Sequence, residues 1–156
     1  MKFKKAFFIC LFVFSFARIS AQSSSIITDI LNSDRVTFGQ VCYLVATHEG
    51  LINDTASYTD AINALEHNKM IPYAAYEETY VPLVNLSYLY AQMFKVQGGL
   101  MYRIFHGAPR YAYKQLKQDG VLPENSYPGK LVSGQEALNI YTTCSIQYTD
   151  FQLNMD

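Results

Sequence analysis

SYTDAINALEHNKMIPYAAYEETYVPLVNLSYLYAQMF, from Ser57 to Phe94, returns in one unbroken register as APRYAYKQLKQDGVLPENSYPGKLVSGQEALNIYTTCS, from Ala108 to Ser145. A constant offset of 51 residues sets Ala61 on Ala112, Leu65 on Leu116, Ile71-Pro72 on Leu122-Pro123, Tyr76 on Tyr127 and Val81 on Val132. It also sets Leu89 on Ile140 and Tyr90 on Tyr141, with no gap between. A period near 50 residues predicts duplicated supersecondary units that bury their apolar faces against one another. Upstream, Val36, Leu44 and Ala46 match Val81, Leu89 and Ala91 at an offset of 45, which adds a leading partial copy. The expected fold is all-α: tandem helix-loop-helix repeats, a partial copy over 36–50 and full copies over 57–94 and 108–145, packed as one bundle.

Within each copy the local signals agree with helices. Val41, Leu44 and Val45 recur at helical spacing over Phe38–His48, and Thr37 is placed to cap the first turn. Ala61, Ile62 and Leu65 form the stripe of a helix from Tyr58 to about Lys69. Its counterpart runs from Pro109 to Asp119, with Gly120 as the stop. Loops follow over 73–80 and 124–131, and second helices open at Val81-Pro82 and Val132-Ser133. Gly50-Leu51-Ile52 ends the leading helix much as Gly99-Leu100-Met101 follows the next, and 100–106 reads as a short helix or turn. Residues 22–30 read as polar and frayed. The spacing of Tyr148, Phe151 and Leu153 fits neither helix nor strand.

In front of the repeats lies a pattern expected of a secretory leader. Lys2, Lys4 and Lys5 precede a 12-residue apolar run from Ala6 to Ala17, and Ile19-Ser20-Ala21 offers a cut ahead of Gln22. A membrane-spanning helix needs about 20 apolar residues, so residues 1–21 read as a removed signal peptide and 22–156 as a single domain. The expected location is the periplasm or cell surface. Removal of the leader leaves eight basic residues against 13 acidic ones, a net charge of about −5. That balance argues against nucleic acid and against an anionic membrane surface, both of which ask for a basic stripe. All 13 tyrosines lie after the leader, and tyrosine suits half-buried packing or a platform for sugars and partner chains. Cys42 and Cys144 are the cysteines that remain. An oxidising compartment permits a disulfide between them, closing a loop of about 100 residues worth up to about 4.7 kcal/mol. The pair occupies non-equivalent positions of the repeat, however, so two buried free thiols are the preferred reading and the disulfide is the alternative.

The last copy resembles an S-layer homology repeat. The likeness rests on Tyr111-Ala112-Tyr113-Lys114-Gln115-Leu116-Lys117-Gln118-Asp119-Gly120-Val121-Leu122-Pro123, on Tyr127-Pro128-Gly129-Lys130, and on Val132-Ser133-Gly134-Gln135-Glu136-Ala137-Leu138. The middle copy fits more loosely, and Val36-Thr37-Phe38-Gly39-Gln40 keeps the cap and second helix. The resemblance implies an all-helical, pseudo-threefold bundle that docks exported proteins onto peptidoglycan or other wall glycan. It carries Thr37, Gln40, Tyr76, Tyr127, Ser133 and Glu136 over as ligand-binding candidates. Each has a structural alternative: Thr37 and Ser133 as helix caps, Gln40 and Glu136 as capping-box partners, and the tyrosines as packing between copies. Where the family places an arginine after its cap, this chain has Phe38, Leu83 and Gly134, so charge-assisted pairing with an anionic glycan is missing.

No converging catalytic set stands in the sequence. His48, His67 and His106 share no metal-ligand spacing, and adjacent pairs such as His48-Glu49 diverge on a helix. The expected function is therefore an exported cell-envelope binding module with no catalytic residues, metal or cofactor, docking on wall glycan or an envelope protein. The alternative is a secreted cell-wall hydrolase or other small periplasmic enzyme using Glu49, Glu66, Glu77 or Glu78.

Overall fold

The backbone of Val36 ties distant parts of the chain together: its N–H donates to Val132 O at 2.8 Å and its carbonyl accepts from Val81 N at 3.0 Å. These valines, aligned in the sequence, are each fully buried. The structure, a computed structural model, describes residues 21–71, 75–105 and 107–153, so most of the expected leader, Pro72 and His106 lie outside it. The described residues form seven helices: α1 (Ala21–Leu31), α2 (Phe38–His48), α3 (Tyr58–His67), α4 (Leu83–Met93), α5 (Leu100–Ile104), α6 (Pro109–Gln118) and α7 (Gly134–Leu153). No strand occurs among them, only two isolated antiparallel bridges, Thr37 with Tyr80 and Pro82 with Leu131. The chain is all-helical and compact, as expected. No helix of the described residues is long and apolar enough to cross a membrane.

Helices α2, α4 and α7 form the interior, and a second helix packs on each: α3 on α2, α6 on α4, and α1 on α7. Every residue of α2 from Phe38 to Ala46 is buried. A helix buried all round belongs in a core, and α2 is enclosed by α3 on one side and α4 on another. Tyr90 is fully buried on α4, and its hydroxyl donates to Ala137 O at 3.2 Å, so one side chain joins α4 to α7 and satisfies its polar tip.

Local chemistry sets where the helices start and stop. Thr37 and Gln40 form a capping box at α2, and Ser57 and Asp60 form another at α3. The second was not singled out in the sequence, because Ser57 follows a loop with no apolar periodicity. At the other ends Gly50, Lys69, Lys95 and Gly120 all take positive φ, between 49° and 78°. The next residue in each case returns a bond to the helix: Leu51 N to Ala46 O, Met70 N to Leu65 O, Val96 N to Ala91 O and Val121 N to Leu116 O, each 2.9–3.0 Å. These are Schellman-type stops, in which a left-handed residue lets the chain satisfy orphan carbonyls. Lys95, not Gly99, therefore occupies the place of Gly50. Gly99 instead begins α5.

Both chain ends differ from the sequence reading. Residues 21–31 form α1 rather than a frayed segment, because Ile30 is driven wholly into the core and Asp29 accepts bonds from Gln40 Nε2 and Tyr58 Oη. The tail continues α7 through Leu153, where Tyr148 Oη donates to Asp119 Oδ2 at 2.7 Å. A tertiary bond, rather than periodicity, holds that turn.

Gly134 closes the arrangement. Its N–H donates to Ser33 O at 2.8 Å, and any Cβ there would overlap the Ile30 carbonyl. Gly134→Ala must push the end of α1 off α7, with an expected loss of about 3 kcal/mol or more in urea unfolding. Gly129→Ala, which meets nothing within 4 Å, stays within about 0.5 kcal/mol of wild type. Lys69 stands in the left-handed region at φ 56° and pays steric strain that glycine lacks. Lys69→Gly is expected to raise stability by about 0.5–1 kcal/mol, read from the same unfolding midpoint.

Candidate functional site

The candidates cluster at the end of the bundle where α2, α4 and α7 begin, and most of their polar atoms are already committed. Thr37 N donates to Gln40 Oε1 at 3.1 Å, and Gln40 N donates to Thr37 Oγ1 at 3.4 Å. The Gln40 amide also donates to Asp29 Oδ2 at 3.0 Å and to Ser33 Oγ at 2.8 Å, so this buried side chain links α1 to α2. Ser133 Oγ accepts from Glu136 N at 3.2 Å, as a cap should. The Glu136 carboxylate, however, pairs with Lys130 Nζ at 2.7 Å, taking its Oε1 toward the preceding loop. Thr37, Gln40, Ser133 and Glu136 thus build helix starts and the joints between them.

The position after the cap at each of these helix starts is closed to a cation. Phe38, Leu83 and Gly134 are all buried, and a guanidinium at any of these places would have to shed its water inside an apolar core. Space is also short beside them. A Cβ on Gly39 would stand 2.8 Å from Glu77 Cγ and 2.9 Å from Tyr58 Cβ.

Tyr76 and Tyr127 behave differently. They are 73% and 61% exposed, so they do not pack between units as the structural alternative required. Their loops are nevertheless held by backbone bonds to the helix starts. Phe38 N donates to Thr79 O at 2.9 Å and Gly39 N to Glu77 O at 3.1 Å. In the other loop the same pattern recurs, Leu83 N donating to Lys130 O at 2.8 Å and Val84 N to Pro128 O at 2.9 Å. Two exposed aromatic rings are therefore carried on fixed backbone, which lowers the entropy cost of a contact with them. Tyr80, half exposed, joins them with the Arg35 guanidinium 5.8 Å from its ring centroid. Ser33, Asp34, Arg35 and Tyr80 line an open cleft of about 410 Å³. Arg35 and Tyr80 were not singled out in the sequence, although they precede the aligned Val36 and Val81 and so occupy equivalent places.

The remaining reactive groups are dispersed. Glu77 Oε2 accepts from Thr59 Oγ1 at 2.6 Å, a bond that fastens the first tyrosine loop to α3. Asp60 is held below the usual carboxylate range by the backbone N–H and hydroxyl of Ser57. His48 Nδ1 lies 2.9 Å from Tyr141 Oη, and its ring meets Phe94 edge-on at 5.2 Å, which ties the C-terminal ends of α2 and α4 to α7. Among the described residues no three His, Cys, Asp or Glu side chains gather closely enough to hold a metal ion. Cys42 and Cys144 are both free and fully buried, so the disulfide left open by the sequence is not formed. No family model matches this chain, and no curated protein matches it.

Burial pushes both thiols up to about 12, with smaller contributions from Glu66 at Cys42 and Asp119 at Cys144. A folded-state value above the unfolded value of 9.0 means that the unfolded chain releases these protons first. The stabilising contribution is complete below pH 9 and is lost progressively as pH rises toward 12. Thermal melts should fall in midpoint across that window, and Cys42→Ala with Cys144→Ala should flatten the fall. Native protein at pH 8 should leave both thiols unlabelled by a thiol reagent, with labelling appearing in guanidinium chloride.

Proposed function

We propose that the chain is an exported cell-envelope docking module built from three helix-pair units, α1 with α2, α3 with α4, and α6 with α7. Several regularities support the repeat. Second helices start at Phe38, Leu83 and Gly134, and first helices at Tyr58 and Pro109, with offsets of 45 and 51. The left-handed stops at Gly50 and Lys95, and at Lys69 and Gly120, keep the same offsets. The first unit is partial in a specific sense: six residues separate α1 from α2, where 15 separate the helices of the other two units. It has a helix pair but no tyrosine loop.

The observation that carries the docking role is the exposure of Tyr76 and Tyr127 on loops fixed by backbone bonds to the helix starts. Such rings offer flat apolar faces with a hydrogen-bonding tip, suited to a sugar ring or to an aromatic-rich protein contact. With the interior positions closed to arginine, recognition proceeds by stacking and hydroxyl bonding rather than by ion pairing. Wall glycan is the favoured ligand, and an envelope protein is the other partner this face would accept.

Co-sedimentation with purified peptidoglycan tests the reading. The protein should pellet with the glycan, and Tyr76→Ala with Tyr127→Ala should weaken binding about 10-fold while leaving the melting temperature unchanged. Equal binding by the double variant would remove the tyrosine face from the mechanism. Failure of the wild type to pellet would remove glycan as the ligand and leave a protein partner.

A further inference from the structure

α5 is anchored without being buried. None of its residues is buried, and four large apolar side chains at this place stand in solvent: Leu100 at 71%, Met101 at 57%, Ile104 at 54% and Phe105 at 47% exposure. Its position is nonetheless held. The Tyr102 ring lies against Gly98 and Gly107, where a Cβ at either position would strike it. Gly99 N donates to Gln115 Oε1 at 2.9 Å, and the Phe105 ring stacks on Tyr111 with centroids 4.4 Å apart and planes 3° from parallel. A helix fixed in this way with its apolar side outward has a hydrophobic contact to make.

Charge indicates with what. From Thr79 to Gln118 the sequence contains five lysines and arginines and not one aspartate or glutamate, in a chain that is acidic elsewhere. Arg110 and Lys114, both exposed, begin and continue α6 beside α5, and no carboxylate lies within ion-pair distance of either among the described residues. Lys114 Nζ sits 5.7 Å from the centroid of the Tyr111 ring that Phe105 stacks on, so cation and apolar surface are contiguous. Lys117 belongs to another side, since its Nζ donates to Ser126 O at 3.0 Å. Asp119, the first acid after the segment, is occupied by Gln115 Nε2 and Tyr148 Oη. Between α5 and α6 lies a cleft of about 400 Å³ with Lys114 in its wall, wide enough for a lipid headgroup.

We infer that the face formed by Leu100, Met101, Ile104 and Phe105, rimmed by Arg110 and Lys114, is a peripheral docking surface for an anionic lipid bilayer. Apolar side chains enter the boundary of headgroups and acyl chains, and the cations meet lipid phosphates at its surface. The face follows the C-terminal end of α4, whereas the tyrosine loops are bonded to the starts of α2 and α4, so the two surfaces can be occupied independently. Net charge conceals this patch, because the acidic residues are confined to the rest of the chain.

Vesicle flotation of the exported protein tests the inference. Partition into vesicles of phosphatidylcholine with phosphatidylglycerol should exceed partition into phosphatidylcholine alone by about 10-fold, and high salt should erase the difference. Leu100→Asp with Ile104→Asp should lower anionic-vesicle binding at least about 10-fold, and Arg110→Glu with Lys114→Glu should abolish the anionic preference. All four side chains are exposed, so circular dichroism and melting should match wild type and separate lost binding from lost folding. Equal flotation by wild type and both variants would overturn the proposal, as would equal affinity for neutral and anionic vesicles. Absence of wild-type flotation would also overturn it and reassign the face to an acidic protein.

Discussion

The two backbone bonds made by Val36 are the constraint on which the rest of the arrangement depends. By donating to Val132 and accepting from Val81, one fully buried residue fixes the starts of α2, α4 and α7 against each other. A buried peptide group must find a partner or bear a desolvation cost, so these short extended segments before each helix bond to one another. Their bonding determines which sides of α2, α4 and α7 face inward. It also determines where the outer helices can lie, and the close approach of Ile30 to Gly134 lets α1 close the ring.

The same constraint separates structural residues from residues available to a partner. Thr37, Gln40 and Ser133 stand at the helix starts, and their polar atoms satisfy backbone donors or link α1 to α2. The loops that precede Val81 and Val132 leave their tyrosines outside while their backbones are held. An arginine in these buried positions would lose its solvation, so Phe38, Leu83 and Gly134 are consistent with a helix start devoted to packing.

Average properties describe this protein poorly. The excess of acid over base in the chain after residue 21 argues against an anionic surface, yet the acids are excluded from 79–118, where Leu100, Met101, Ile104 and Phe105 are also exposed. Electrostatic attraction at physiological ionic strength acts over about 8 Å, so a local cluster of cations can act despite an opposite net charge. Likewise, an oxidising compartment would permit Cys42 and Cys144 to bridge, but their non-equivalent positions favoured two buried free thiols, and the fold buries both separately.

The sequence by itself determined the helices whose signals are local. The Ala61, Ile62 and Leu65 stripe located α3, Thr37 with Gln40 marked the start of α2, and Pro109 and Gly120 marked the ends of α6. These features depend on periodicity, capping and φ preferences that act within a few residues, so they can be read along the chain. Lys69 and Lys95 hid two equivalent stops because lysine gives no left-handed signal. Only the tertiary structure decided that α1 is a helix, that α7 continues to Leu153, that Glu136 pairs with Lys130 and that Tyr76 and Tyr127 remain in solvent. Each of these turns on contacts between residues far apart in the chain: Ile30 with Gly134, Tyr148 with Asp119, and loop backbone with distant helix starts. Burial and hydrogen bonding across such separations arise when the helices pack, and no local pattern encodes them.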